Sequence, residues 1–312
     1  MIGILGTGRA MGSKLLSNEE LCQTLPVTPE WIVEKTGIKQ RYMAVDGETV
    51  ASLALQAARK ALNAAQVSPE QIGLTIVATF SHDYLFPAAS AKLHHDLGLK
   101  GGQFFDLQAN CSGFVAALGV ATDRMTVDPT VHYALVVGSE VVADFIDKTD
   151  ENTAPFFSDG AGAVVLGPAD VGFVANAYYA DSSEYEAVRC KRGTAFPHIE
   201  QYGFATGKQA LAHLPRTVLR ALDKAHWDVA DVDCFIFHQA NLRLIEFLCG
   251  ILHVQMTKTY TNVETVGNAG AASVPIALAD AVEAGAIKSG SKVCFAAVGA
   301  GFGFGASCWI MP

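Results

Sequence analysis

Five near-continuous apolar runs punctuate the chain: IGLTIVATF (72–80), HYALVVGSE (132–140), GAVVLG (162–167), VDCFIFHQ (232–239) and KVCFAAVGA (292–300). Each has strand length and lacks the strict alternation of a half-exposed strand, which predicts strands buried on both faces. Between them, apolar positions recur at helical spacing over 50–64 and 211–225. Strands alternating with helices define an α/β protein whose sheets are covered on both sides.

The pattern also repeats. SPEQIGLTIVAT (68–79) and DVADVDCFIFHQ (228–239) each run from a polar turn into a buried strand at an offset of 160 positions. NCSGFVAAL (110–118) meets GAASVPIAL (270–278) and YALVVGS (133–139) meets VCFAAVGA (293–300) at the same spacing. This predicts two topologically similar halves, 1–170 and 171–312, joined near 167–172. The stretch 181–203 has no clear period and is long for a connector, so it is either a pocket wall or lid, or a surface excursion.

Composition narrows the function. A hydrophobic content of 50% over 312 residues fits a large buried core. A net charge of -9 without a lysine or arginine run gives nucleic acid nothing to hold. The seven cysteines show no CxxC spacing, so neither a disulfide framework nor a structural metal site is expected, and a reducing, cytoplasmic setting is. No run reaches membrane-spanning length, and MIGILGTGRAMGS lacks the charged leader and long apolar stretch of a secretory signal. Gly6 and Gly8 invite a dinucleotide reading, but the third glycine of G-x-G-x-x-G falls at Met11 and no acidic residue closes a βαβ unit.

Chemistry concentrates in DLQANCSGFVAAL (106–118), where a strand-like run turns into a small-residue helix at Cys111. Backbone N–H groups at such a turn point into the cleft and favour a thiolate, the nucleophilic form. An ordinary buried cysteine is the competing reading. In the second half, His238 ends the run VDCFIF, at the strand end where α/β sheets bind ligands. Asn268 stands in GNAGAASVP (267–275), which also suits a turn asparagine. The offset brings all three to strand ends of a pseudo-symmetric pair, and GAGFGFG (299–305) supplies a glycine-rich turn able to aim N–H groups at an oxyanion.

Taken with PEWIVEKTGI (29–38), ANCSGF (109–114), SDGAGAVVLG (158–167) and HQANLR (238–243), these segments make the chain similar to 3-oxoacyl-acyl-carrier-protein synthase III. The resemblance implies a thiolase-like five-layer αβαβα fold, a homodimer, and a triad of Cys111, His238 and Asn268. It implies that Cys111 takes an acyl group, that a malonyl-type thioester loses carbon dioxide, and that the carbanion condenses with the acyl-enzyme. The backbone N–H groups of Cys111 and Ala300 are the implied oxyanion donors. Trp31, Lys35, Phe86, Asn241 and Arg243 fall at substrate-binding positions, Arg243 also at the position that docks an acyl carrier protein. Lys208, Arg216, Arg220 and Lys224 are its implied basic neighbours. The expected substrates are acyl thioesters of coenzyme A or carrier protein, with no cofactor or metal.

Three departures stand out. Lys35 and Glu151 occupy positions where the family carries arginines against coenzyme A, and Val298 replaces a usual phenylalanine. They imply a specialised relative, of fatty acid or secondary metabolite biosynthesis. The alternatives are acyl transfer from Cys111 to an oxygen or nitrogen acceptor, a cysteine hydrolase, and a non-catalytic partner subunit.

Overall fold

The computed structural model describes residues 1–191 and 197–312. In the first half the main elements are β1 (Ile2–Met11), α1 (Pro29–Thr36), α2 (Val50–Ala65), β2 (Ile72–Ala78), α3 (Ala89–Asp96), β3 (Gln103–Leu107), α4 (Gly113–Val127), β4 (Tyr133–Glu140) and β5 (Gly160–Pro168). The second half contains β6 (Phe173–Ala180), α5 (Gly203–Ala225), β7 (Cys234–Phe237), α6 (Leu242–Leu252), α7 (Ser273–Glu283), β8 (Lys292–Gly299) and β9 (Gly303–Ile310).

The first sheet has the order β1-β5-β4-β2-β3. The second has β6-β9-β8-β7, and Thr259 adds a lone bridge to Phe235 where a fifth strand would stand. The two orders are the same, with parallel pairing at β2 and β3 answered by the parallel β7–β8 and β7–Thr259 pairs. In both sheets the last two strands of the half form an antiparallel ladder.

Helices α4 and α7 lie between the sheets and touch both, while α2 covers the outer face of the first and α5 that of the second. The layers run helix, sheet, helix, sheet, helix. The middle layer explains the small-residue runs. Phe114, Val115, Ala117, Leu118 and Ala121 of α4 and Val274, Ile276, Ala277 and Leu278 of α7 are all buried, because a helix packed on both sides must be apolar all round. On the outside, α2 carries polar residues outward and packs Leu53, Ala54, Ala57, Ala58 and Ala61 inward. Its start is fixed by a capping box in which Thr49 and Ser52 bond each other's backbone N–H.

Three segments show more than their sequence pattern. The apolar start of the chain is an unbroken ten-residue strand with a bulge between Ile4 and Gly6. A Cβ on Gly6 would lie 2.3 Å from the Ala61 carbonyl, and one on Gly8 would lie 2.4 Å from that of Ala57. These glycines let α2 settle onto β1, which is their physical reason. Within 181–203, strands Val188–Cys190 and Ile199–Gln201 pair antiparallel, and the centre of this possible lid, 192–196, lies outside the described residues. Helix α5 also starts at Gly203, well before the periodic stretch, and carries Pro215 inside it.

Candidate active site

Cys111 lies not in α4 itself but in the 3-10 turn Asn110–Ser112 that leads into it. Asn110 makes this turn possible: its φ is 49°, a left-handed conformation that asparagine tolerates, and its Nδ2 donates to the Ala300 carbonyl at 2.9 Å. Ser112 Oγ donates to the Ala109 carbonyl at 2.8 Å. The Gly299–Gly303 turn rests directly on this structure, since a Cβ on Gly299 would lie 2.4 Å from the Ala109 carbonyl and 2.9 Å from the Ser112 nitrogen. Ala300 is thereby clamped against the cysteine turn.

The opposite turn, Gly270–Ala272, opens α7 as the cysteine turn opens α4, and the two turns pack on each other. A Cβ on Gly113 would be 3.6 Å from that of Ala271. Just before this turn, Asn268 is buried, and its backbone is tied to the first half by Asn268 N–H to Phe156 O at 2.8 Å and Ser158 N–H to Asn268 O at 2.9 Å. Its Oδ1 accepts from Gly270 N–H at 2.9 Å, which fixes the amide with Nδ2 as the free donor. His238 is buried at the end of β7, held by its backbone N–H to Ala296 O at 2.7 Å. Its Nδ1 stands 2.6 Å from Ser273 Oγ.

Electrostatics corrects one expectation. Solvent reaches part of Cys111, yet the protein around its sulfur pushes the thiol up to about 12, and the buried Glu140 carboxylate adds to the shift. A backbone hydrogen bond acts the other way and is the smaller effect, so the resting form is a neutral thiol rather than a thiolate. Burial also pushes His238 down to about 4, leaving a neutral imidazole. Glu140 accepts from Ser81 Oγ at 2.5 Å, Thr79 Oγ1 at 3.1 Å and the N–H groups of Phe80, Ser81 and Ala271, but burial outweighs these donors and raises its carboxyl to about 8. Glu140 joins the end of β2 to the Gly270–Ala272 turn and was invisible in the sequence, where it reads as the polar end of a strand.

The other positions are scattered. Trp31 is half-buried in α1 beside Leu21, Leu25 and Ile32, while Lys35 is exposed and meets Glu34 at 3.4 Å. Phe86 is 83% exposed, so within one chain it closes no pocket. Asn241 caps α6, its Oδ1 accepting from Leu244 N–H at 2.8 Å. Arg243 is not a free charge: it donates to the carbonyls of Glu34 at 2.9 Å and Val33 at 3.2 Å, and pairs with Glu246 at 3.0 Å. Of the basic residues on α5, Arg220 lies over the Tyr179 ring and Lys224 donates to the Asn176 carbonyl at 3.0 Å. Val298 is buried in the second-sheet core.

Two pseudo-symmetric sheets around a helical layer are the thiolase-like architecture, here with Cys111 and Asn268 at the entries to the two middle helices and His238 at a strand end. The 3-oxoacyl-[acyl-carrier-protein] synthase III model matches residues 105–182, and its C-terminal counterpart matches 222–311. The chain is 38% identical to a beta-ketoacyl-[acyl-carrier-protein] synthase III of Erythrobacter litoralis, covering 97% of each. The crystal structure of the 3-oxoacyl-[acyl-carrier-protein] synthase III of Aquifex aeolicus superimposes with a TM-score of 0.95 at 34% identity, covering 99% of this chain and 100% of that one. The priming beta-ketosynthase of the R1128 polyketide pathway superimposes equally, at 0.95 and 31% identity, over 100% and 96%. The chain belongs to the beta-ketoacyl-[acyl-carrier-protein] synthase III family.

Proposed function

We propose that the chain condenses a Cys111-bound acyl group with a malonyl-type thioester, releasing carbon dioxide and a β-ketoacyl thioester. The observation that carries this reading is the packing of the Cys111 turn on the turn flanked by Asn268 and Ser273, with His238 bonded to the latter. Cys111 Sγ attacks the acyl thioester carbonyl while the backbone N–H groups of Cys111 and Ala300 hold the oxyanion. The bond to the donor sulfur breaks, and the thiol proton leaves with the donor thiol. The malonyl group then loses carbon dioxide, and the electron pair passes to the thioester oxygen, which takes hydrogen bonds from His238 and Asn268. The enolate carbon attacks the acyl carbonyl, and the Cys111 thiolate that leaves takes a proton from solvent. The reaction as written needs no cofactor.

The names of the relatives support an acyl carrier protein as partner, and Lys35 and Glu151 at positions of family arginines support an acyl group delivered on that carrier rather than on coenzyme A. The same departures support a specialised role. The exposed edge of β3, with Phe104 outward, and the exposed Tyr84, Leu85 and Phe86 support a homodimer in which Phe86 reaches the second copy's site. Seven free cysteines suit the cytoplasm.

Intact mass spectrometry tests the central step. Acyl groups offered on coenzyme A and on carrier protein should add once to the wild type and not to Cys111→Ala, with malonyl carrier protein then discharging the adduct. An adduct that persists in Cys111→Ala, or none from either donor, sinks the reading.

A further inference from the structure

Ser273 plays no part in the motif of cysteine, histidine and asparagine, yet its hydroxyl is the group nearest to His238. It is buried, it stands in the first turn of α7, and its Oγ lies 2.6 Å from His238 Nδ1. Some hydroxyls inside other helices turn back onto the carbonyl four residues earlier, as Thr36 does to Ile32 at 2.7 Å and Thr217 to His213 at 3.0 Å. Ser273 makes no such bond. Among the described residues its oxygen has two hydrogen-bond partners, the His238 ring nitrogen and, at 3.4 Å, the backbone N–H of Gln239.

That inventory decides where the protons are. The Gln239 N–H can only donate, so of these two partners Nδ1 is the one able to accept the Ser273 hydroxyl proton. If Nδ1 carried the imidazole proton, the serine would have to accept from both neighbours, and neither could take its own buried proton, which is unfavourable. With the serine donating to Nδ1, every group is satisfied and the ring proton sits on Nε2. We propose that Ser273 is a positioning residue that fixes His238 as the Nε2–H tautomer, so that the ring presents a hydrogen-bond donor where the malonyl thioester oxygen becomes an enolate. The serine touches no substrate; it acts through the ring.

This rests on the condensing function proposed above, and the two are separable by experiment. Nitrogen-15 NMR of histidine-labelled protein, with His238 assigned by its loss in His238→Gln, reads the tautomer directly and requires no turnover. The wild type should show Nε2 protonated and Nδ1 bare; Nδ1 protonated overturns the inference without recourse to any variant. In Ser273→Ala the bare Nδ1 loses its donor, so an Nδ1–H population should appear. Malonyl thioester decarboxylation should fall roughly 10- to 100-fold while single acyl loading of Cys111 is retained, which also reports that the variant is folded. A Ser273→Ala protein that keeps the pure Nε2–H tautomer and the wild-type decarboxylation rate overturns the inference. A wild type that loads no acyl group overturns the functional reading instead, and leaves the tautomer result standing.

Discussion

Asn110 and Ala300 are 190 positions apart in the chain, and the amide of the first donates to the carbonyl of the second at 2.9 Å. The bond spans the interface between the halves and ends on the residue whose N–H is proposed to hold the oxyanion. Asn110→Ala removes it and places alanine at a φ of 49°. The expected outcome is a loss of about 1–3 kcal/mol of stability, read as a lower urea midpoint, with slower acyl loading of Cys111. Asn110→Gly relieves the backbone but not the missing bond, so it should recover stability more than loading rate. Equal recovery of both would show that the bond does not position Ala300.

Glu140 raises the Cys111 thiol by its charge, second only to burial. Removing a negative charge favours the thiolate, so Glu140→Gln should shift the alkylation profile of Cys111 to lower pH. Iodoacetamide labelling at several pH values, followed by intact mass, measures it. A profile that stays put or moves upward would show that burial alone sets the thiol.

His238 gains no proton until the pH approaches about 4. Above roughly pH 6 its donor is therefore unchanged, and malonyl decarboxylation should be flat with respect to this residue. Stability carries the same sign. The folded-state value lies below the ordinary 6.5, so the contribution of His238 is complete above that pH and is lost as the pH falls toward about 4. Comparing acid unfolding of the wild type with His238→Gln isolates it: the variant should lose less stability between those two values.

Gly8 is the simplest packing test. Alanine there drives a methyl to 2.4 Å from the Ala57 carbonyl, and α2 has to lift from β1. The expected cost is about 1–3 kcal/mol, seen as a lower denaturant midpoint with an unchanged slope. An unchanged midpoint would mean that the helix moves freely on the sheet.

Much of this architecture was legible because burial leaves a coarse imprint. The runs at 72–80 and 232–239 and the small-residue runs after Cys111 and Asn268 are what a strand between helices and a helix between sheets require. Cys111 and Asn268 were visible because each stands just before such a helix run, and His238 because it ends such a strand run. Ser273 and Glu140 were not: a serine opening a helix and a glutamate ending a strand are common, and only distance reveals that one bonds a ring nitrogen and the other gathers five donors. The thiolate expectation failed for a related reason, since a sequence shows the turn and its N–H groups but not the depth of protein around the sulfur. The bonds that hold Arg243 to the carbonyls of α1 were likewise invisible in the sequence.

The proposed nucleophile, Cys111, and the groups proposed to hold the enolate lie on opposite sides of the junction between Pro168 and Phe173. During synthesis the cysteine emerges first, more than a hundred positions ahead of His238. A half-made chain therefore carries a thiol with no means of generating a carbanion, and an unfinished protein cannot begin to extend a carbon chain. Emergence of the second half, rather than the appearance of the proposed reactive sulfur, is the moment at which this polypeptide acquires its proposed chemistry.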